Sequence, residues 1–216
     1  GDHIKPYTNG RDLTANSRGL WALDFYPLSE TTVRETFPAA YQLILDKVRP
    51  EREQNNRKAY RDRWWQFGEN VHAVRKAIEG LPRFVGTVYT AKHRIFQFID
   101  GGTLVDATIN VIASDDAANL SVLSSRQHVV WSLAAGGRLG VGNDPRYNKS
   151  RCFDPFPFPD LTYDQRTRLR ALGEDLDAHR KRQQAAHPKL TLTQMYNVLE
   201  NLRAGETIEG KDREIY

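Results

Sequence analysis

Two short segments carry the side chains best suited to chemistry on another molecule. The first is Tyr89-Thr90-Ala91-Lys92-His93-Arg94. Lys92, His93 and Arg94 follow one another there, and each can donate to phosphate oxygens or to acceptors on a base edge. The second runs from Arg138 to Arg151 and combines Arg138, Asn143, Asp144, Arg146, Tyr147 and Lys149. Arginine reads guanine through a bidentate contact and asparagine does the same for adenine, while a tyrosine ring stacks on a base or packs on sugar. The glycines scattered through 136–142 let a backbone lie close to a ligand. Each segment also admits a plainer reading. The first could be a solvated β-turn, and the second a surface loop stiffened by Pro145.

Nothing else in the chain assembles into a catalytic site. The sequence contains no HExxH, no CxxC and no His/Cys cluster with metal-ligand spacing. The run Gly136-Gly137-Arg138-Leu139-Gly140-Val141-Gly142 resembles a phosphate cradle only on the surface. It follows an expected helix, whereas a dinucleotide fingerprint follows a strand and opens a helix. Asp115-Asp116 are adjacent carboxylates of the kind that cap helices or stay solvated. His128 lies in an apolar stretch and reads as a packed core histidine. Cys152 is the only cysteine, which rules out an intrachain disulfide and points to a reducing, cytoplasmic setting. No apolar run approaches the roughly 20 residues that a membrane-spanning helix needs.

The net charge of +4 says less than its distribution. Arg49–Arg94 holds eleven Lys/Arg against five Asp/Glu, and 95–125 holds four Asp and no Lys or Arg. From Arg126 to Arg151 the balance returns to five basic residues and one acidic. Basic stretches on either side of an acidic one suit a protein with a basic face, which favours a phosphate backbone.

The elements that would position these residues read as α+β: a mixed, mostly antiparallel sheet flanked by helices, with a C-terminal helical hairpin. Residues 4–7 and 19–25 suggest strands around a turn at Asn9-Gly10-Arg11-Asp12. Ser29 suits a helix cap, and Pro38 suits the first turn of a helix with Tyr41, Ile44, Leu45 and Val48 on its apolar side. A further helix is expected over 70–79. Arg83–Thr90, His93–Ile99 and Thr108–Ala113 read as strands. One helix is expected over 121–134, closed by Gly136-Gly137, followed by an irregular segment over 138–160. Within it, the alternating prolines and phenylalanines of 153–159 form a stiff strap that fastens the loop to the core. Thr162-Tyr163-Asp164-Gln165 and Thr191-Leu192-Thr193-Gln194 are capping boxes, each opening a helix. Residues 1–160 are therefore expected to form one domain and 161–216 a helical subdomain.

With these residues in view, the chain resembles a known family. Ile4-Lys5-Pro6-Tyr7-Thr8-Asn9-Gly10-Arg11-Asp12-Leu13 is similar to the opening of target-recognition domains in adenine-specific DNA methyltransferases. Asn143-Asp144-Pro145-Arg146-Tyr147-Asn148 followed by Phe156-Pro157-Phe158-Pro159 is similar to their close. Leu81-Pro82-Arg83, Lys92-His93-Arg94, Arg63-Trp64-Trp65-Gln66-Phe67 and the tail around Met195-Tyr196-Asn197-Val198-Leu199 resemble the MmeI-like branch of combined restriction–methylation enzymes (Type IIL/IIG).

The resemblance implies double-stranded DNA and the parent protein's methyltransferase domain as partners. It also implies S-adenosylmethionine as cofactor of the full-length enzyme, with none held by this fragment. The catalytic Asn/Asp-Pro-Pro-Tyr/Phe tetrapeptide of such enzymes is missing, and Asn143-Asp144-Pro145-Arg146 lacks its second proline and its aromatic residue. With no initiator methionine either, the chain reads as an excised recognition module without catalytic residues of its own. Its expected DNA contacts are Lys92, His93, Arg94, Arg138, Asn143, Asp144, Arg146, Tyr147 and Lys149. The alternative expectation is a structural module that joins domains or subunits of the same kind of enzyme.

Overall fold

Local signals in the chain set most of the element boundaries. In a computed structural model, which describes residues 3–68, 72–139 and 144–216, the order begins β1 (Ile4–Thr8), α1 (Gly10–Thr14), β2 (Trp21–Leu23), α2 (Glu30–Thr36) and α3 (Pro38–Lys47). It continues α4 (Arg49–Glu53), α5 (Lys58–Asp62), α6 (His72–Ile78), β3 (Arg83–Val88), β4 (Gln97–Asp100), β5 (Leu104–Val105) and β6 (Ile109–Ile112). Then come α7 (Ala117–Ser124), α8 (Arg126–Ala135), β7 (Arg138–Leu139), β8 (Asp144–Pro145), a π-helical turn (Lys149–Phe153), α9 (Tyr163–Ala186), α10 (Leu192–Arg203) and α11 (Gly210–Ile215). The expected α+β class, with small, mostly antiparallel sheets among helices and a helical C-terminal segment, is borne out.

The chain divides into two compact units, Gly1–Pro6 with Trp21–Ala77, and Tyr7–Leu20 with Ile78–Tyr216. In the first, β1 pairs antiparallel with β2, Ile4 opposite Leu23 and Pro6 opposite Trp21. Ser29 caps α2 by accepting from the Thr32 amide, and Pro38 opens α3, as its fixed φ favours. Phe25, Val33, Ile44 and Trp64 form the core, with Tyr41, Leu45 and Val48 packed around them. Asp24 is buried here and accepts from Lys5 Nζ at 3.0 Å and from Arg75 Nη1 at 2.7 Å. Burial pushes its pKa up, but these cations outweigh that and hold it below the ordinary carboxylate value.

The second unit is built around β4-β3-β6, antiparallel throughout. Side chains alternate faces along a strand, and the two cores follow that alternation. Phe84, Val88 and Ile99 join Leu13 and Ile109 in one core. Val85 and Phe98 join Phe96, Leu120, Leu123, Tyr147 and Cys152 in the other. Helix α9 lies against α7, and Gly173 permits the approach: a Cβ there would stand 2.2 Å from the Ala117 carbonyl oxygen. Asp116 caps α7 and pairs with Arg166 and Arg170 at 3.1 and 2.8 Å, which agrees with its reading as a capping residue. Deeper in, the Phe98 amide donates to Asp177 Oδ1 at 3.0 Å. Buried Arg180 donates to the Phe96 carbonyl at 2.6 Å and to the Tyr196 hydroxyl. The tail is thus stitched to the sheet by polar contacts inside the unit.

Several expectations need correction. Asn9–Asp12 is not an isolated turn but the start of α1. Asn9 Oδ1 accepts the Arg11 and Asp12 amides, and Asp12 answers the Asn9 amide, so the local bonding favours a helix. The single helix over 121–134 is two helices, because Ser125 turns to an extended backbone and caps α8 through the His128 amide. The strand expected from His93 begins only at Gln97, and the one from Arg83 ends at Val88. Residues 138–160 are not irregular throughout: β7 pairs with β8, and the π-helical turn follows. Helix α11 was not expected.

Candidate nucleic-acid interface

The two segments singled out in the sequence meet in the second unit. Thr90 bridges Arg146 in antiparallel fashion. The Tyr147 amide donates to the Tyr89 carbonyl at 2.8 Å, and the Ala91 amide to the Pro145 carbonyl at 3.3 Å. On the far side of the same strand, the Arg146 amide donates to the Gly137 carbonyl at 2.8 Å. A Cβ on Gly136 would stand 2.3 Å from the Arg146 carbonyl oxygen and 2.7 Å from that of Ser132. This glycine therefore serves close packing between the end of α8 and the Arg146 strand, not an open cradle for a phosphate or cofactor.

Three of the nine expected contact residues face inward. Arg94 is 5% exposed. It donates to Thr87 Oγ1 at 3.2 Å, to the Val88 carbonyl and to the Pro145 carbonyl at 3.1 Å. Its guanidinium lies over the Tyr147 ring, 5.1 Å from the centroid. Burial lowers its pKa to about 10, which leaves it charged. Tyr147 is 2% exposed, and its hydroxyl lies 2.9 Å from His128 Nε2. Desolvation raises its pKa, with the nearby Cys152 thiol adding to the effect. His93 is 6% exposed, with its ring nitrogens 2.8 Å from Asn197 Oδ1 and 3.2 Å from Glu200 Oε1. None of the three presents a side chain to a groove in this conformation. Each is used to hold the two segments to each other, to α8 or to α10.

Lys92, Arg138 and Lys149 are exposed, and Asp144 and Arg146 are half-buried. Lys92 Nζ donates to Asn197 Oδ1 at 2.6 Å, and Lys149 Nζ pairs with Asp154 at 2.8 Å. Lys92 also borders a cleft of ≈ 540 Å³ lined by Arg11, Thr90, Thr108 and Thr193. Asn143 lies outside the described residues.

Two residues of these segments that are not among the nine expected contacts, Tyr89 and Asn148, stand at the centre of the junction. Tyr89 lies beneath the Arg146 guanidinium at 4.8 Å and accepts from it and from Asn148 Nδ2, the latter at 3.1 Å. The signal that could have added Tyr89 to the contact set is an aromatic hydroxyl at the polar end of an otherwise apolar strand. The phenylalanine strap packs as expected. Phe156 meets His128 edge-on at 4.3 Å, and Phe158 packs edge-on against Phe156 and tilted against Phe153.

Against known proteins, residues 4–160 match the family described as MmeI, target recognition domain. The chain belongs to this family. As a target recognition domain of the MmeI type, it is 32% identical over 96 residues to DNA methyltransferase A of Bacillus subtilis (strain 168). That alignment takes in 44% of this chain and 10% of the relative. Among solved structures, it is similar to the Type IIL restriction-modification enzyme MmeI in complex with DNA, with a TM-score of 0.69 at 17% identity. The superposition covers 90% of this chain and 25% of that one, and at such identity the likeness is one of fold. This recognition domain therefore spans a tenth and a quarter of the lengths of the two proteins. Among the described residues, no helix is long and apolar enough to cross a membrane.

Proposed function

We propose that this chain is the sequence-specific DNA-recognition module of an S-adenosylmethionine-dependent adenine-N6 methyltransferase of the restriction–modification kind. The observation that carries the reading is the junction itself. Segments distant in sequence are locked together by buried arginine, tyrosine and histidine, and cations and amides are left along the rim. Such rigid backing is what a base-reading surface needs, since a contact misplaced by an ångström loses its selectivity. The similarity to a methyltransferase and to an enzyme solved with DNA supports the same reading.

In this proposal Lys92, Arg138 and Lys149 contact phosphates and set register, while Arg146 and Asp144 face base edges. His93, Arg94 and Tyr147 act behind them as positioning residues. Residues 1–160 carry recognition, and 161–216 brace the junction through Asn197, Asp177 and Arg180. The cofactor and the flipped adenine belong to the parent's methyltransferase domain, and a cytoplasmic setting goes with that role.

The test uses the complete protein with S-adenosylmethionine and duplex DNA. Methylation is expected at one defined sequence, with duplex affinity falling steeply as salt rises. Absence of duplex binding at low salt, or methylation without sequence preference, would sink the reading.

A further inference from the structure

We infer that Tyr89, Arg146 and Asn148 form a single preorganised fork for one purine edge, with the Tyr89 hydroxyl as its pivot. The inference rests on the DNA-recognition reading and extends it to two residues outside the predicted contact set. Arg94 and Arg180 spend their donors on backbone carbonyls inside the fold. Among the described residues, the Arg146 side chain has no such contact. Its guanidinium lies over the Tyr89 ring and donates from Nη2 to that residue's hydroxyl, and its buried Nε has no hydrogen-bond partner among the described residues. Asn148 Nδ2 donates to the same hydroxyl at 3.1 Å.

A phenol oxygen accepting from two N–H groups has its own proton left to donate. It also fixes both donors in one geometry. The backbone beneath them is fixed as well, since the Tyr147 amide bonds the Tyr89 carbonyl between Arg146 and Asn148. All three side chains are partly exposed, unlike their neighbours Arg94 and Tyr147. The fork therefore offers guanidinium donors, a phenolic O–H and the Asn148 carboxamide oxygen side by side. A purine edge in the major groove offers the complement: N7 as acceptor, with O6 as a second acceptor on guanine or the N6 amine as donor on adenine. A phosphate, like the guanine edge, offers acceptors only; the adenine edge alone also meets the Asn148 oxygen, through its N6 amine.

The experiment compares the complete protein with its Tyr89→Phe, Asn148→Ala and Arg146→Ala variants on a randomised duplex library, reading methylated sequences. Tyr89→Phe keeps the ring under Arg146 and removes only the pivot. All three changes are expected to relax the same base-pair position, each by about ten-fold or more in discrimination, the range for one bidentate base contact. Asn148→Ala serves as the second probe should Tyr89→Phe lower the melting temperature. Relaxation at different positions, or an unchanged sequence preference with uniform weakening, overturns the fork and leaves the recognition reading standing. A wild-type protein without sequence preference overturns both.

Discussion

The segment at Lys92–Arg94 and the segment at Asp144–Lys149 are built from similar residue types and are put to opposite uses. Each contains an arginine within a few residues of a lysine and close to a tyrosine ring. Arg94 ends inside the fold, over Tyr147, with carbonyls at Val88 and Pro145 as acceptors. Arg146 ends at the surface, over Tyr89, with a hydroxyl as its acceptor. The difference lies in the backbone and not in the side chain. Where β3 ends at Val88, a carbonyl left out of the sheet ladder faces inward, and a buried acceptor without a donor is costly. Arg94 satisfies it and adds a second donor to the Pro145 carbonyl, which also accepts from the Ala91 amide. The lesson is that a cation next to a strand end is as often a solution to the fold's own hydrogen bonding as a contact for a ligand.

The comparison breaks most directly on stability. Arg94→Met would leave the buried Val88 carbonyl without its donor and remove the contacts to Thr87 and the Pro145 carbonyl, and a loss of about 3 kcal/mol is expected. Arg146→Met should cost about 1 kcal/mol or less, because its site is partly solvated. Urea denaturation of the two variants checks this. Equal losses would mean that Arg146 is as structural as Arg94.

A second probe is the histidine behind Tyr147. Burial, reinforced by the Arg94 charge, lowers the His128 pKa from 6.5 to about 4. In the unfolded chain the imidazole takes up its proton near 6.5, but in the folded protein only near 4. The unfolded state thus binds more protons as pH falls across that interval. Stability is therefore full above about 6.5 and declines toward pH 4, by up to about 3 kcal/mol. Urea midpoints measured from pH 7.5 downward should show the decline in the wild type, and His128→Phe should flatten it. That variant also loses the partner of the Tyr147 hydroxyl, which lowers its stability equally at every pH. A decline of the same slope in both would place the titrating group elsewhere.

Much of the scaffold was legible because its signals are local. The capping boxes Thr162/Gln165 and Thr191/Gln194 both open helices as read, and their amide contacts lie within three residues. The alternation of a strand is local too, and it is what separates Phe84 and Val88 from Val85 in the two cores. The break at Ser125 was also local, as consecutive serines inside a helical run carry a cap signal, but the apolar residues on both sides hid it. The burial of Arg94 was not legible, since it depends on carbonyls that only the pairing of residues 89–91 with 145–147 brings together. The pairing of Tyr89 with Asn148 has the same origin, with partners 59 positions apart. His93 reads as a surface cation until Asn197 and Glu200 of α10 close over it.

The finest cut between structural and contact cations is made at Lys149. Its ion pair with Asp154 is exposed on both sides, so the pair contributes little to folding, and Lys149→Ala should change stability by less than about 0.5 kcal/mol. If Lys149 instead neutralises a phosphate, the same variant should lower duplex affinity alike for every sequence. It should also reduce the salt slope of binding by about one counterion, with the methylated sequence unchanged. Lys92→Ala should behave the same way, with the added loss of its bond to Asn197. Affinity measured at several salt concentrations on a methylated and an unrelated duplex separates these contributions. A slope unaffected by Lys149→Ala would confine the phosphate contacts to other cations of the rim. A loss specific to one sequence would move Lys149 from the backbone set to the base-reading set beside Arg146.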